Sequence, residues 1–313
     1  MTSRASNLDE EFLMCQVWVA GEVLIDLIPD SKELKPVVGG GPANTAKALA
    51  KIGVRTQLIN GISNDKYGQM AKDELSSAGV KLDYVKYSEK PTCSAMVSLS
   101  DSGSATYEFI IENTVTFDFD LDWLPNPQTE RPTLLHIGTL ATVIEPGASV
   151  LYEWAQSVAK VAPIVFDPNI RPAVIGDRKQ YVMQVERWVS ISSAVKVSDE
   201  DLKWLYPSLD IDQVVNNWLT KGPSLIVVTY GDKGLAGYRI DEKVIVDAIK
   251  VAVADTVGAG DTVGAILVEA IVKDGLSSLS GVRLGMMLKR AAKAAAITVS
   301  RSGANPPTLK EIE

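Results

Sequence analysis

The sequence predicts an α/β fold: a doubly wound, mostly parallel sheet flanked by helices, with a small β-sheet projecting from it. Three observations predict it. Short apolar runs alternate with helical patterns over most of the chain, which is the signature of a parallel sheet covered on both faces. Between residues 84 and 111 that alternation gives way to a stretch that is extended throughout. Glycine-rich turns lead directly into helices near both ends of the chain.

Residues 16–28 begin as a Val-rich buried strand, break at Gly21 and run on to a turn at Pro29-Asp30-Ser31. Val37-Val38 forms a short strand ahead of a glycine cluster. A helix over 42–52 follows, with Ala46, Leu49, Ala50 and Ile52 on its apolar side and Gly53 at its end. A strand over 56–62 precedes a helix over 67–78 that Gly79 stops. In 84–111, Ala95, Val97 and Leu99 alternate with polar residues ahead of a turn at Asp101-Ser102-Gly103, the pattern of antiparallel hairpins. Strands then return at 134–137, 164–167, 194–197, 225–229, 235–239 and 243–248. Helices are expected at 148–161, 178–191, 199–206, 210–220, 262–273 and 282–300. This division puts 12–26, 39–83 and 120–313 in a large α/β domain, and 27–38 with 84–119 in the small sheet.

With 313 residues, 46% of them hydrophobic, the chain can bury a sizeable core. The net charge of −8 argues against nucleic-acid or anionic-membrane partners, because those surfaces are themselves negative. The two cysteines, Cys15 and Cys93, are far apart and form no metal-ligand spacing, which suits a reducing compartment. Met1 to Glu11 carry no apolar stretch of the signal-peptide kind, and no run approaches a membrane span. A cytoplasmic protein is expected.

The strongest local feature is Asp255-Thr256-Val257-Gly258-Ala259-Gly260-Asp261, followed by an apolar helix that ends at Gly275. Small residues let a backbone approach a ligand closely, and the amides of a helix start attract anions. Asp261 in the same turn can accept a proton from an attacking hydroxyl; read by itself, it is equally a capping residue. Gly39-Gly40-Gly41-Pro42-Ala43-Asn44 is the second feature, with Pro42 suited to a first helical turn and Asn44 able to both donate and accept hydrogen bonds. No Gly-x-x-x-x-Gly-Lys-Ser/Thr loop, dinucleotide fingerprint, His-Glu-x-x-His motif or protein-kinase signature is present. The sole histidine, His136, lies in an apolar strand and reads as buried rather than as a base.

Taken together, the two glycine motifs resemble the ribokinase-type (PfkB) carbohydrate kinases, over about residues 17–307. Gly21-Glu22-Val23-Leu24-Ile25-Asp26 is similar to the opening strand of bacterial fructokinases. Asp167-Pro168-Asn169-Ile170-Arg171-Pro172 resembles a segment shared by fructokinases and 2-keto-3-deoxygluconate kinases. Thr229-Tyr230-Gly231-Asp232-Lys233-Gly234 and Gly303-Ala304-Asn305-Pro306 resemble nucleotide-site segments. Ser198-x-x-Asp201 stands where the family has Asn-x-x-Glu.

The resemblance implies a ribokinase-like fold whose small sheet is a lid, and an ATP-dependent kinase acting on a primary hydroxyl of a free sugar, fructose above all. The alternatives are a 2-keto-3-deoxygluconate kinase, a nucleoside kinase and a non-catalytic sugar-binding regulator. It implies Asp261 as base, with Gly258, Ala259, Gly260 and Arg171 at the transferring phosphate. Asp26, Gly40, Gly41, Asn44, Asn169, Arg171 and Asp261 are implied to hold the sugar. Lys196, Ser198, Thr229, Gly231, Gly234, Gly258, Gly260, Ala304 and Asn305 are implied to hold ATP. Mg²⁺ would be supported through Asp201 or Glu200, and a monovalent cation such as K⁺ would sit at Asp255 and the 300–303 loop. Exposed edges on the lid suit a homodimer through it.

Overall fold

The computed structural model describes residues 16–30, 33–99 and 105–313. Met1 to Glu11, Cys15, Ser31 of the first turn and Asp101-Ser102-Gly103 of the second lie outside them. An eight-stranded sheet forms the centre. Its strands are β1 (Val17–Ala20), β4 (Thr56–Ile59), β9 (Leu134–Gly138), β10 (Ile164–Asp167), β11 (Ala194–Ser198), β12 (Leu225–Thr229), β13 (Leu235–Arg239) and β14 (Glu242–Val246). They lie in the order β14-β13-β12-β11-β10-β9-β1-β4, parallel except for β13, which runs antiparallel to both of its neighbours, β12 and β14.

Side chains alternate between the two faces along each strand, so both faces need cover. Val17, Val19, Leu134, Val165 and Val227 pack under helices Gly41–Lys51, Lys66–Ser77, Ala259–Asp274 and Gly281–Val299. Trp18, Leu135, Phe166, Val195 and Ile226 pack on the other side, with Trp154, Tyr181, Trp188 and Trp218 of helices Gly147–Val158, Arg178–Ile191 and Ile211–Leu219. This layering explains why these strands read as nearly continuous apolar runs.

A second sheet of four strands stands apart in the order β3-β2-β7-β8: β2 (Leu24–Asp30), β3 (Glu33–Gly39), β7 (Ser94–Leu99) and β8 (Ala105–Ile110). Pairs β2–β3 and β7–β8 are antiparallel, while β2 runs parallel to β7. The strand at Val37-Val38 is longer than expected, because all seven residues of β3 find partners on β2.

Two expectations are corrected. Residues 84–111 are not hairpins throughout: β6 (Lys86–Ser88) pairs in parallel with β5 (Gly61–Ser63), and only β7 and β8 form the hairpin. The strand over 56–62 is also two strands, β4 and β5, in different sheets. Asn60 divides them: its side chain accepts from the Val23 amide and donates to the Thr116 carbonyl, at 3.4 and 3.0 Å. A fully buried side chain spent on two distant backbones fixes a bend that hydrophobic periodicity does not record.

Candidate active site

The site lies beyond the carboxyl ends of the parallel strands, where open α/β sheets bind ligands. Chain leaving β1 carries Glu22, chain leaving β9 carries Thr139, and chain leaving β10 carries Asn169 and Arg171. Lys196 and Ser198 belong to the last residues of β11, and Thr229 ends β12. Helices Gly41–Lys51 and Ala259–Asp274 pack against each other and bring the two glycine turns together.

Asp261 is buried in the first turn of the second helix. Asn44 donates from Nδ2 to Asp261 Oδ2 at 2.9 Å, across 217 residues of sequence. Burial pushes the Asp261 carboxyl up to about 6; Asp167 adds to the rise, while Lys196, Asn44 and Arg171 oppose it. Lys196 donates to Asp167 at 2.9 Å, with both side chains almost fully buried. Burial works against its ammonium, yet Asp167 and Asp261 outweigh burial and raise its pKa.

Gly41 sits in the middle of this cluster. A β-carbon there would lie 2.8 Å from Thr139 Oγ1, 2.9 Å from Asn169 Nδ2 and 3.3 Å from Asp261 Oδ1. A β-carbon on Gly260 would lie 2.8 Å from Lys196 Nζ. Both glycines therefore keep polar atoms within reach of a ligand. Gly40, at φ 104°, leads into the helix; a β-carbon there would strike the Glu22 carbonyl at 2.4 Å.

A hollow of about 380 Å³ opens over these residues, lined by Asp26, Asn44, Asn169, Arg171 and Asp261, with Leu24, Leu140 and Phe109 as apolar wall. Asp26 and Phe109 come from the four-stranded sheet, so the hollow lies between the two sheets. Burial raises the Asp26 carboxyl to about 6 against the pull of Arg171. The Arg171 guanidinium folds back onto the carbonyls of Asn169 and Ile170.

A second hollow of about 480 Å³ shares Asn169, Arg171, Lys196 and Gly260 with the first and adds Ser198, Glu200, Asp201, Thr229 and Gly231. Both Asp201 oxygens are occupied, accepting from the amides of Ile170 and Ser198 at 2.9 and 3.2 Å. Asp201 thereby ties the Asn169–Arg171 loop to a helix start. A third, more apolar hollow of about 630 Å³ shares Gly231 with the second and includes Gly234, Val251, Val253, Ala292 and Val299.

The turn itself is braced from outside. Asp255 accepts from the Val257 amide at 3.0 Å and the Gly303 amide at 2.9 Å. Gly258 takes φ 80°, and a β-carbon there would lie 2.8 Å from Ala304 Cβ. With the Val257 amide held by Asp255 and that of Ala259 donating to the Thr256 carbonyl at 3.4 Å, the amides of the helix start left without a partner among the described residues are those of Gly258, Gly260 and Asp261.

Most site residues expected from sequence thus line one continuous trough. Ala304 and Asn305 do not. They border a separate hollow with Lys47 and Lys51, and Lys51 donates to Asn305 Oδ1 at 2.8 Å. Phe109, expected from sequence on a sugar-facing lid strand, does line the first hollow, whereas Glu22, Thr139 and Asp167 had no role assigned from sequence. Glu22 had a signal: in extended chain Glu22, Leu24 and Asp26 fall on one side, and all three line the first hollow. Thr139 had none, since its left-handed backbone at φ 57° leaves no mark in sequence.

Residues 14–311 match the pattern described as pfkB family carbohydrate kinase. The chain is 34% identical over 261 residues to a fructokinase of Rhizobium leguminosarum bv. trifolii, covering 82% of this chain and 79% of that protein. It is 30% identical over 259 residues to a fructokinase of Vibrio alginolyticus, covering 81% and 83% respectively. Among solved structures, the fructokinase with bound ATP from Xylella fastidiosa superposes with a TM-score of 0.88 at 23% identity, over 95% of this chain and 96% of that one. The fructokinase from Vibrio cholerae O395 in its fructose, ADP and calcium ion bound form gives 0.82 at 25% identity, over 93% and 95%. The chain belongs to the pfkB family of carbohydrate kinases and is a sugar phosphotransferase.

Proposed function

We propose that the protein is an ATP-dependent fructokinase, with sugar in the first hollow, the ATP phosphates in the second and the nucleobase in the third. The observation that carries this reading is the position of Asp261. Its carboxylate faces the first hollow, is held by Asn44, and lies one residue from Gly260, which both hollows share. A primary hydroxyl beside it gives up its proton to Asp261 as the oxygen bonds to the terminal phosphorus, the bond from that phosphorus to the bridging oxygen breaks, and ADP leaves. Lys196 and the first-turn amides face the charge that develops there. The Rhizobium and Vibrio relatives support fructose as acceptor, and the ATP-bound and ADP-bound fructokinase structures support a nucleotide donor.

The acids of the first hollow favour a neutral sugar. Glu22, Asp26 and Asp261 line it against Arg171 and a Lys196 already paired with Asp167. A sugar acid such as 2-keto-3-deoxygluconate would bring a further negative charge into this enclosure.

Magnesium suits the second hollow as an ion held mainly by phosphates and water, supplying charge neutralisation on the donor. Asp201 is spent on backbone amides and Asp199 is paired with Lys203, which leaves exposed Glu200 as the free carboxylate on that wall among the described residues. A monovalent cation would be held where Asp255 joins the turn to the Gly303 loop.

The test is ADP release with a panel of fructose, 2-keto-3-deoxygluconate, adenosine and inosine, comparing the parent with Asp261→Asn. Fructose-dependent ADP release that Asp261→Asn abolishes is expected. A parent whose ADP release fructose does not raise is not a fructokinase, and an Asn variant at full turnover removes Asp261 from the base role.

A further inference from the structure

Two residues facing the first hollow hold backbone angles that side chains other than glycine rarely adopt: Thr139 at φ 57° and Asn169 at φ 39°. Such strain persists where surrounding contacts over-determine it, and it concentrates at ligand-binding positions. Both side chains aim at one point. Asn169 Nδ2 donates to Thr139 Oγ1 at 3.4 Å, and both atoms lie within 3 Å of where a Gly41 β-carbon would be.

Thr139 has its own brace. It opens a short 3-10 turn, Thr139–Thr142, directly after β9. Glu22 Oε2 accepts from the Ala141 amide in that turn at 3.2 Å, and Glu22 is 1% exposed. Its other oxygen has no partner among the described residues. A buried carboxylate with one partner is costly, and its evident use is to hold the turn. Thr142 reinforces it, donating from its hydroxyl to the Thr139 carbonyl at 2.7 Å.

We propose that Thr139 is a specificity-determining residue whose hydroxyl pairs with Asn169 to read one hydroxyl of the sugar, and that Glu22 is the positioning residue that aims it. This rests on the assignment of the sugar to the first hollow. Thr139 Oγ1 can accept from a sugar hydroxyl while Asn169 Nδ2 donates to the same oxygen, which is how a site rejects an analogue lacking that oxygen.

The test is the steady-state KM and kcat of Thr139→Ser, Thr139→Ala and Thr139→Gly with fructose and with its monodeoxy analogues, at saturating ATP. Serine should match the parent. Alanine and glycine should each lose about tenfold in kcat/KM for fructose, the worth of one hydrogen bond, with KM for ATP unchanged. One deoxy analogue, poor for the parent, should be no worse than fructose for the alanine variant. Glu22→Ala should shift KM for fructose in the same direction, and the shifts of Glu22→Ala and Thr139→Ala should not add. Folding of each variant is checked by its thermal midpoint, and Glu22→Gln, which keeps an acceptor for Ala141, should keep the parent's KM for fructose. Glycine at parental activity, or an alanine variant that keeps the parent's deoxy penalty, overturns the proposal. Additive shifts remove Glu22 from it. A parent that phosphorylates no sugar instead removes the assignment of the hollow itself.

Discussion

Asp261 shows how one residue's surroundings set its chemistry. An exposed aspartate is too weak a base to matter, while a fully neutral one could take no proton from an attacking hydroxyl. Burial raises this carboxyl to about 6, and Lys196, Asn44 and Arg171 stop the rise there. It is therefore ionised at neutral pH, and kcat/KM should fall about tenfold per unit below pH 6 as it gains a proton. A pH–rate profile checks this. Asp261→Asn should lower kcat roughly 10²–10⁴-fold and abolish the acid limb, whereas Asp26→Asn, also at a carboxyl near 6, should keep it. Glu22 gives a stability prediction. Burial raises its pKa to about 7 from 4.5, so the folded protein holds a proton that the unfolded chain has lost. Stability from this group falls as pH rises from 4.5 to 7 and is absent above. Relative to the parent, Glu22→Gln should gain up to about 3 kcal/mol between pH 5 and pH 8, read from urea unfolding at both. Asp261 was legible in the sequence because it closes a glycine turn; Thr139 was not, because positive φ at a threonine is imposed by Glu22 and β9 rather than by its own chemistry.

At the level of elements, helices with clear ends and apolar stripes were legible close to their observed bounds, as in Arg178–Ile191. Pairing partners were not, because a strand's own pattern does not say which edge it meets: Lys86–Ser88 reads like a hairpin arm and pairs with Gly61–Ser63 instead. The turn from Asp255 to Asp261 shows what an element needs beyond its own sequence. Gly258 is left-handed and pressed against Ala304, and Asp255 clamps the turn to Gly303. Gly258→Ala must meet both the φ penalty and a backbone contact at 3.0 Å. A stability loss of about 1–3 kcal/mol is expected, together with a fall in kcat, because the amides of Gly260 and Asp261 move with the turn. Gly53 supplies the comparison: it is also left-handed, at φ 87°, but has open space around it. Gly53→Ala should cost about 1 kcal/mol at constant kcat. Equal losses of kcat in the two variants would mean that the Ala304 contact does nothing for the chemistry.

At the scale of the whole molecule, the first hollow takes its walls from two sheets that have no strand in common. Asp26 and Phe109 belong to the four-stranded sheet, while Asn44, Asn169 and Asp261 stand on the large one. A sugar that bridges them restrains the small sheet, whereas a nucleotide in the second and third hollows touches only the large sheet and its helices. We propose from this that the small sheet acts as a lid which the sugar, not the nucleotide, draws down, excluding water that would otherwise compete as acceptor. Hydrogen exchange tests it. Fructose alone should slow exchange across Leu24–Asp30, Glu33–Gly39 and Ser94–Leu99, and ATP alone should slow it only around Gly231–Lys233 and the start of helix Ala259–Asp274. Asp26→Ala, which removes the carboxylate that the sheet offers to the sugar, should lose most of the fructose-induced protection while keeping that of ATP. If ATP alone protects the small sheet as strongly as fructose does, closure follows the donor and Asp26 is not its trigger.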